Sequence, residues 1–172
     1  MDDEIRAIER AAFESWPAAE VLPLAGWRLR FNHGLTNRAS SVWPGPGASG
    51  LPLAARIDAV ERFYAERGAP ACFQLSPAAD PPELDAALAA RGYALRSPVS
   101  VEGAGVEELP ASKLRGVEAS CSEELSEEWF DLSGLRGRFR GAEVPVYRAL
   151  LGRLAGRAGF VLVRVDGRAA AA

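Results

Sequence analysis

Lysine, histidine, methionine and cysteine are scarce in this chain of 172 residues, and each scarcity excludes something. Cys72 and Cys121 form no CxxC pair and His33 is the single histidine, so a structural zinc site has no ligand set to draw on. With so few thiols, a reducing cytoplasm is the simplest compartment. Lys113 is the single lysine and arginine carries nearly all the positive charge. The formal net charge is -3, which gives no reason to expect nucleic acid or an anionic membrane as a partner. No apolar run approaches the roughly 20 residues that a membrane helix needs. The amino terminus, Met1-Asp-Asp-Glu, is acidic where a signal peptide would be basic. The expectation is a soluble cytoplasmic chain that binds no metal.

What is present is a strict order of periodic segments. Residues 4–16 carry Ile5, Ile8, Ala12 and Trp16 on one helical face, with Pro17 as the stop. Gly26-Trp-Arg-Leu-Arg-Phe31 alternates large apolar with basic residues, the period of a half-buried strand. Asn32-His-Gly34 supplies a turn, so residues 27–31 and 37–43 should form a hairpin. Arg38-Ala-Ser-Ser-Val-Trp43 then runs into Pro44-Gly-Pro-Gly-Ala-Ser-Gly50, a loop that opens an amphipathic helix. In that helix Leu53, Ile57, Val60 and Tyr64 share a stripe while Arg56, Glu61 and Arg67 face out, and Gly68 ends it. Ala71-Cys-Phe-Gln-Leu75 reads as a short strand, parallel to the one around Ser41 because a helix crosses between them. Asp80-Pro-Pro-Glu83 predicts a second helix, with Asp80 as N-cap, Pro81 at the first position and Glu83 completing a capping box. Leu84 and Leu88 form its inner face, and residues 93–101 predict a third strand.

Residues 103–116, with Pro110, read as a linker. The domains expected are therefore 1–105, a linker at 106–116, and 117–172 as the beginning of a second unit. Residues 122–131 are an acidic helix signal, residues 132–143 a loop rich in glycine and arginine, and residues 144–157 a helix with Tyr147, Leu150, Leu151 and Leu154 inward. Gly159-Phe-Val-Leu-Val-Arg-Val165 is the clearest strand, and Asp166-Gly167 a type I′ turn. The remaining residues 168–172 offer little to pair with, so residues 160–165 are expected to pair with another chain or to pack on the front sheet.

Two constellations could carry chemistry. Glu127 and Glu128 could receive a cationic amine, small-molecule or peptide, with Trp129 stacked on it; the alternative is a solvated helix face. The glycine loop could receive phosphates on free N–H groups at a helix N-terminus; the alternative is a plain strand-to-helix connection. Pro44 and Pro46 supply no N–H and the loop holds no cation. The arginines 136, 138 and 140 read as an exposed loop pairing with the acidic helix, and Ser40 and Ser41 lack the G-x-S-x-G frame of a hydrolase nucleophile.

The order strand, glycine loop, helix, strand, helix, strand resembles the GNAT superfamily of acyl-CoA-dependent N-acetyltransferases. Gly26-Trp-Arg-Leu-Arg, Thr36-Asn-Arg-Ala-Ser-Ser-Val, Phe63-Tyr64 and Leu84-Asp-Ala-Ala-Leu-Ala-Ala-Arg-Gly-Tyr93 look like the front half of a two-unit member. The resemblance implies an α/β (α+β) fold, a GNAT-like mixed sheet flanked by helices with an incomplete second unit. It implies acetyl-CoA as co-substrate; a homodimer is the expected form in solution. Ser41, Gly45, Gly47, Ser49 and Gly50 are then the cofactor-facing residues. The family's motif, Q/R-x-x-G-x-G/A between a strand and a helix, is missing from that loop. A literal match at Arg153-Leu-Ala-Gly-Arg-Ala158 follows a helix and precedes a strand, the wrong context. Tyr93 lies past the position of the family's acid. Acetyl-CoA binding is thus expected to be weak or absent here. The function implied is an N-acetyltransferase represented by its amino-terminal portion; the alternative is a non-catalytic module for dimerisation or partner binding.

Overall fold

The computed structural model describes residues 2–47, 50–105, 107, 115–133, 139–154, 156 and 158–172. These fall into two compact units, Met1–Gly92 with Arg140–Leu154, and Tyr93–Phe139 with Ala155–Ala172. The helix near residue 147 therefore groups with the front of the chain. Most of the expected linker, with Lys113, and the arginines 136 and 138 lie outside the described residues.

In the first unit α1 (Asp2–Glu14) precedes an antiparallel sheet of order β1 (Glu20–Leu24), β2 (Trp27–Phe31), β3 (Val42–Trp43). β1 has no counterpart in the sequence reading. It joins β2 through Ala25-Gly26, both with positive φ, a two-residue turn that pairs Leu24 with Trp27. Pro23 suits an edge strand, where one N–H faces outward. The expected pairing of residues 27–31 with 37–43 holds at Arg28↔Trp43 and Leu29↔Val42. The strand around Phe73 is reduced to one bridge, Val42↔Phe73, and it is parallel as expected. The Val42 N–H donates to Cys72 O at 2.8 Å, and the Gln74 N–H donates to Val42 O at 2.9 Å. A helix, α2 (Leu53–Ala65), crosses between the two.

Helices flank this sheet on both faces. α2 runs along β2: Arg56 Cζ lies 4.7 Å above the Trp27 ring and Tyr64 Oη donates to Arg30 O at 2.7 Å. Its Ile57, Val60 and Tyr64 are buried with Trp27, Leu29 and Val42. On the other face Phe13 of α1 packs 5.3 Å from the Trp43 ring, and Arg30 Cζ lies 5.2 Å above Phe13. That second layer corrects the half-buried reading of β2, because Arg30 is buried as deeply as its apolar neighbours. Its guanidinium donates to Ser41 O, Ser41 Oγ and Gln74 Oε1 at 3.1, 2.8 and 2.8 Å. Burial lowers the Arg30 pKa to about 10 and pushes the Tyr64 phenol up.

α3 (Leu84–Ala90) starts later than the expected capping box. Asp80 is not its N-cap: the Asp80 N–H donates to Pro44 O at 3.2 Å, and Asp80 O accepts from Trp27 Nε1 at 2.7 Å. The Asp80 backbone is therefore spent on the sheet, and Glu83 takes the cap position without a side-chain hydrogen bond. Leu84 and Leu88 are buried as expected. α5 (Glu143–Gly152) buries Tyr147, Leu150 and Leu151, with the Trp16 ring 6.0 Å from Tyr147.

The second unit holds β4 (Val117–Ser122), α4 (Glu127–Leu132), β5 (Phe160–Val165) and β6 (Arg168–Ala171). Its sheet has the order β4-β5-β6, antiparallel throughout. β5 thus pairs within its own unit, which removes the need for a strand from another chain. β6 was expected to be too short to matter, yet Asp166-Gly167, both with positive φ, turn it back onto β5. Residues 93–101 form no strand, and Leu95, Val99 and Val101 are 85, 82 and 71% exposed. Ser97 has a positive φ and Pro98 has no N–H, so the ladder is interrupted at its middle.

Candidate functional site

The connection from β3 to α2 is fixed by backbone contacts before it meets any ligand. Pro44 is fully buried and its carbonyl holds Asp80. The Gly45 N–H turns back to Trp43 O at 3.0 Å. Gly47 lies against Gly26 so closely that a Cβ on Gly47 would sit 2.5 Å from Gly26 Cα. Gly50 is open, with no atom within 4 Å of a Cβ there. Ser49 and Ala48 lie outside the described residues.

Of the expected cofactor-facing residues, Ser41 is 2% exposed and its hydroxyl accepts from Arg30. Gly45 is buried with its amide engaged, whereas Gly47 and Gly50 are exposed. The loop opens a helix whose amino end is uncapped. Pro52 makes no side-chain cap and no acidic residue stands in the first turn. The Arg56 N–H makes an early helical bond, to Pro52 O at 3.1 Å, so the amides of Leu53 and Ala54 come before it.

Arg56 was expected to face solvent and does not. It is 7% exposed, and its Nε and Nη1 are buried without a hydrogen-bond partner. The guanidinium lies 4.7 Å from the centre of the Trp27 ring. Sequence reasoning missed it by residue type alone. Arg56 falls three residues after Leu53 and four before Val60, on the apolar stripe. Among the described residues of the loop Gly45 has its amide engaged, the two prolines have no N–H, and Ser41 before it is buried.

The acidic constellation lies in the second unit, on α4. Ser126 caps that helix by accepting from the Trp129 N–H at 3.1 Å. Glu128 takes both Arg164 nitrogens, at 3.1 and 2.5 Å, and Trp129 Nε1 donates to Val161 O at 3.0 Å. The Trp129 ring stands edge-on to Phe160 at 5.0 Å. Glu128 and Trp129 thus hold α4 on β5, and Glu127 is exposed in the first turn. Arg153, the first residue of the literal motif match, caps α5 and donates to Pro17 O at 3.1 Å and Asn32 Oδ1 at 2.6 Å. Two of the motif's residues, 155 and 157, lie outside the described residues. Tyr93 is half-buried.

Among the described residues, no cluster of His, Cys, Asp and Glu is placed to hold a metal ion. No described helix is long and apolar enough to cross a membrane.

Residues 3–171 match the family model described as probable histone acetyltransferase Rv0428c, C-terminal. A relative, the uncharacterized N-acetyltransferase YobR of Bacillus subtilis (strain 168), is 43% identical over 91 residues, 53% of this chain and 35% of that protein. The match thus spans about a third of the relative's length. No solved structure matches significantly. Together with the fold, these matches make the chain a homologue of the GNAT-superfamily acetyltransferases. Within that class it belongs to the Rv0428c C-terminal family.

Proposed function

We propose that this chain is the amino-terminal portion of an acetyl-CoA-dependent N-acetyltransferase, with a structural front unit followed by the start of a catalytic one. The observation that carries the reading is the connection itself: β3, glycine loop and α2 lead into a segment that bridges β3 in parallel at Phe73. The amide and cation inventory of the loop supports weak coenzyme binding in the front unit. Acetyl-CoA supplies the acetyl group as a thioester. In the same reading a cationic amine approaches the acidic first turn of α4 at Glu127, where Glu128 and Trp129 fix the helix on its sheet.

A thiol-release assay tests the reading. The chain of residues 1–172 should show no turnover with acetyl-CoA and a panel of amines, and a chain extended with its genomic downstream sequence should turn over. Turnover by residues 1–172 that survives Gly47→Pro would contradict it. The exposed row Leu95, Val99 and Val101 favours a second reading, a homodimerisation module, which light scattering decides by mass.

A further inference from the structure

We propose that the second unit carries a self-association surface, in which residues 95–101 of one copy lie across the bare face of the β4-β5-β6 sheet of another copy, and the reverse. The inference rests on the homodimer reading and not on acetyl transfer, and it names the two surfaces that meet.

The sheet is covered by a helix of its own unit on one face only. Residues directly opposite one another in an antiparallel ladder share a face. α4 lies on the face of Phe160 and Arg164, which it meets through Trp129 and Glu128. The other face carries Val117, Ala119, Cys121, Val161, Val163 and Val165, with no carboxylate among them. Gly159 confirms the direction of that row, because a Cβ there would meet Cys121 Sγ at 2.6 Å. β6 adds Ala171 opposite Val163 and Arg168 opposite Val165. Val161 and Val165 are 45 and 43% exposed. The same unit exposes the row Leu95, Val99 and Val101, which joins no strand. Two apolar surfaces in one unit thus stand open, and neither covers the other within the chain.

Area and charge select a second copy as the occupant. By strand spacing and rise the sheet face measures roughly 250 Å², and the extended segment about the same. Either surface alone is far below the roughly 800 Å² that a standard interface takes from each partner. Reciprocal docking about a two-fold axis uses both surfaces in both copies, about 1,000 Å² in all, the lower limit for a specific contact. Charge sets the direction. Arg96 follows Leu95 and Glu102 follows Val101, while Arg168 lies at the Val165 end of the face and Glu123 and Glu124 lie beyond Cys121 at its other end. All five charged residues are exposed. Val101 over Val165 and Leu95 over Val161 therefore bring Glu102 to Arg168 and Arg96 to the two glutamates. The opposite direction sets like charges together.

Light scattering of the chain across a concentration series tests this. A dimer with a dissociation constant on the order of 10 µM is expected from so small an interface. Val161→Glu and Val99→Glu should each weaken it by about thirtyfold. Val99 lies outside any strand, so its variant keeps the test standing if Val161→Glu fails to fold. Glu102→Arg should weaken the dimer by about fivefold, and Glu102→Arg combined with Arg168→Glu should restore it. In Leu95→Cys, oxidation should give a covalent dimer joined from position 95 to Cys121, the neighbour of Val161 across the ladder. A monomer at about 100 µM would overturn the homodimer reading along with this inference. Dimer formation unchanged by both glutamate variants, or position 95 bonding to Cys121 within one chain, would overturn this inference alone.

Discussion

Trp27→Ala is expected to destabilise the first unit by about 4 kcal/mol, the upper range for a fully buried aromatic. Trp27 is 0% exposed and joins three layers at one point. Its Nε1 holds the Asp80 carbonyl at 2.7 Å, its ring stands edge-on to Phe73 at 5.8 Å, and Arg56 lies on its face. Truncation leaves a cavity, an unpaired carbonyl and a buried guanidinium with no ring beneath it. Trp27→Phe keeps most of the volume and should cost about 1–2 kcal/mol, mainly the unpaired Asp80 carbonyl. Urea unfolding followed by far-UV circular dichroism checks both, through the midpoint at unchanged slope. A loss below about 1 kcal/mol for Trp27→Ala would show that the ring is not the centre of this core.

The second large effect is at the glycine contact beside it. Gly26→Ala would place a Cβ 2.8 Å from Gly47 Cα at a residue whose φ is +92°, and Gly47→Ala would place one 2.5 Å from Gly26 Cα. Both neighbours are backbone, which cannot rotate aside. The expected cost is about 3 kcal/mol for either change, combining overpacking with, at Gly26, the left-handed conformation. Gly50→Ala, in open space and without a positive φ, should stay within about 0.5 kcal/mol. Thermal unfolding of the three variants side by side gives the contrast. Equal losses at Gly47 and Gly50 would mean that the loop is not held against β2 by this contact.

Where hydrophobic periodicity had a packing partner, the sequence alone gave the right element. The stripe of Leu53, Ile57, Val60 and Tyr64 became α2, and Tyr147, Leu150 and Leu151 became the inner face of α5. Periodicity misled at residues 93–101, where Leu95, Val99 and Val101 keep the alternation but Ser97 and Pro98 break the ladder. β1 escaped notice because Pro23 and an Ala25-Gly26 turn are weak strand and hairpin signals. Asp80 carried every mark of an N-cap, but the Trp27 and Pro44 contacts made across the chain took its backbone. Arg56 was read by charge rather than by position: it sits on the apolar stripe, and only packing reveals that it is buried. Arg30 is the same lesson on the other face of the sheet.

Calorimetric titration of acetyl-CoA into the chain tests the central claim most directly, that the loop at residues 44–50, with two prolines and no cation, binds the coenzyme weakly or not at all. The account predicts binding no tighter than the millimolar range, about 4 kcal/mol. Submicromolar binding that Gly47→Pro abolishes would contradict it.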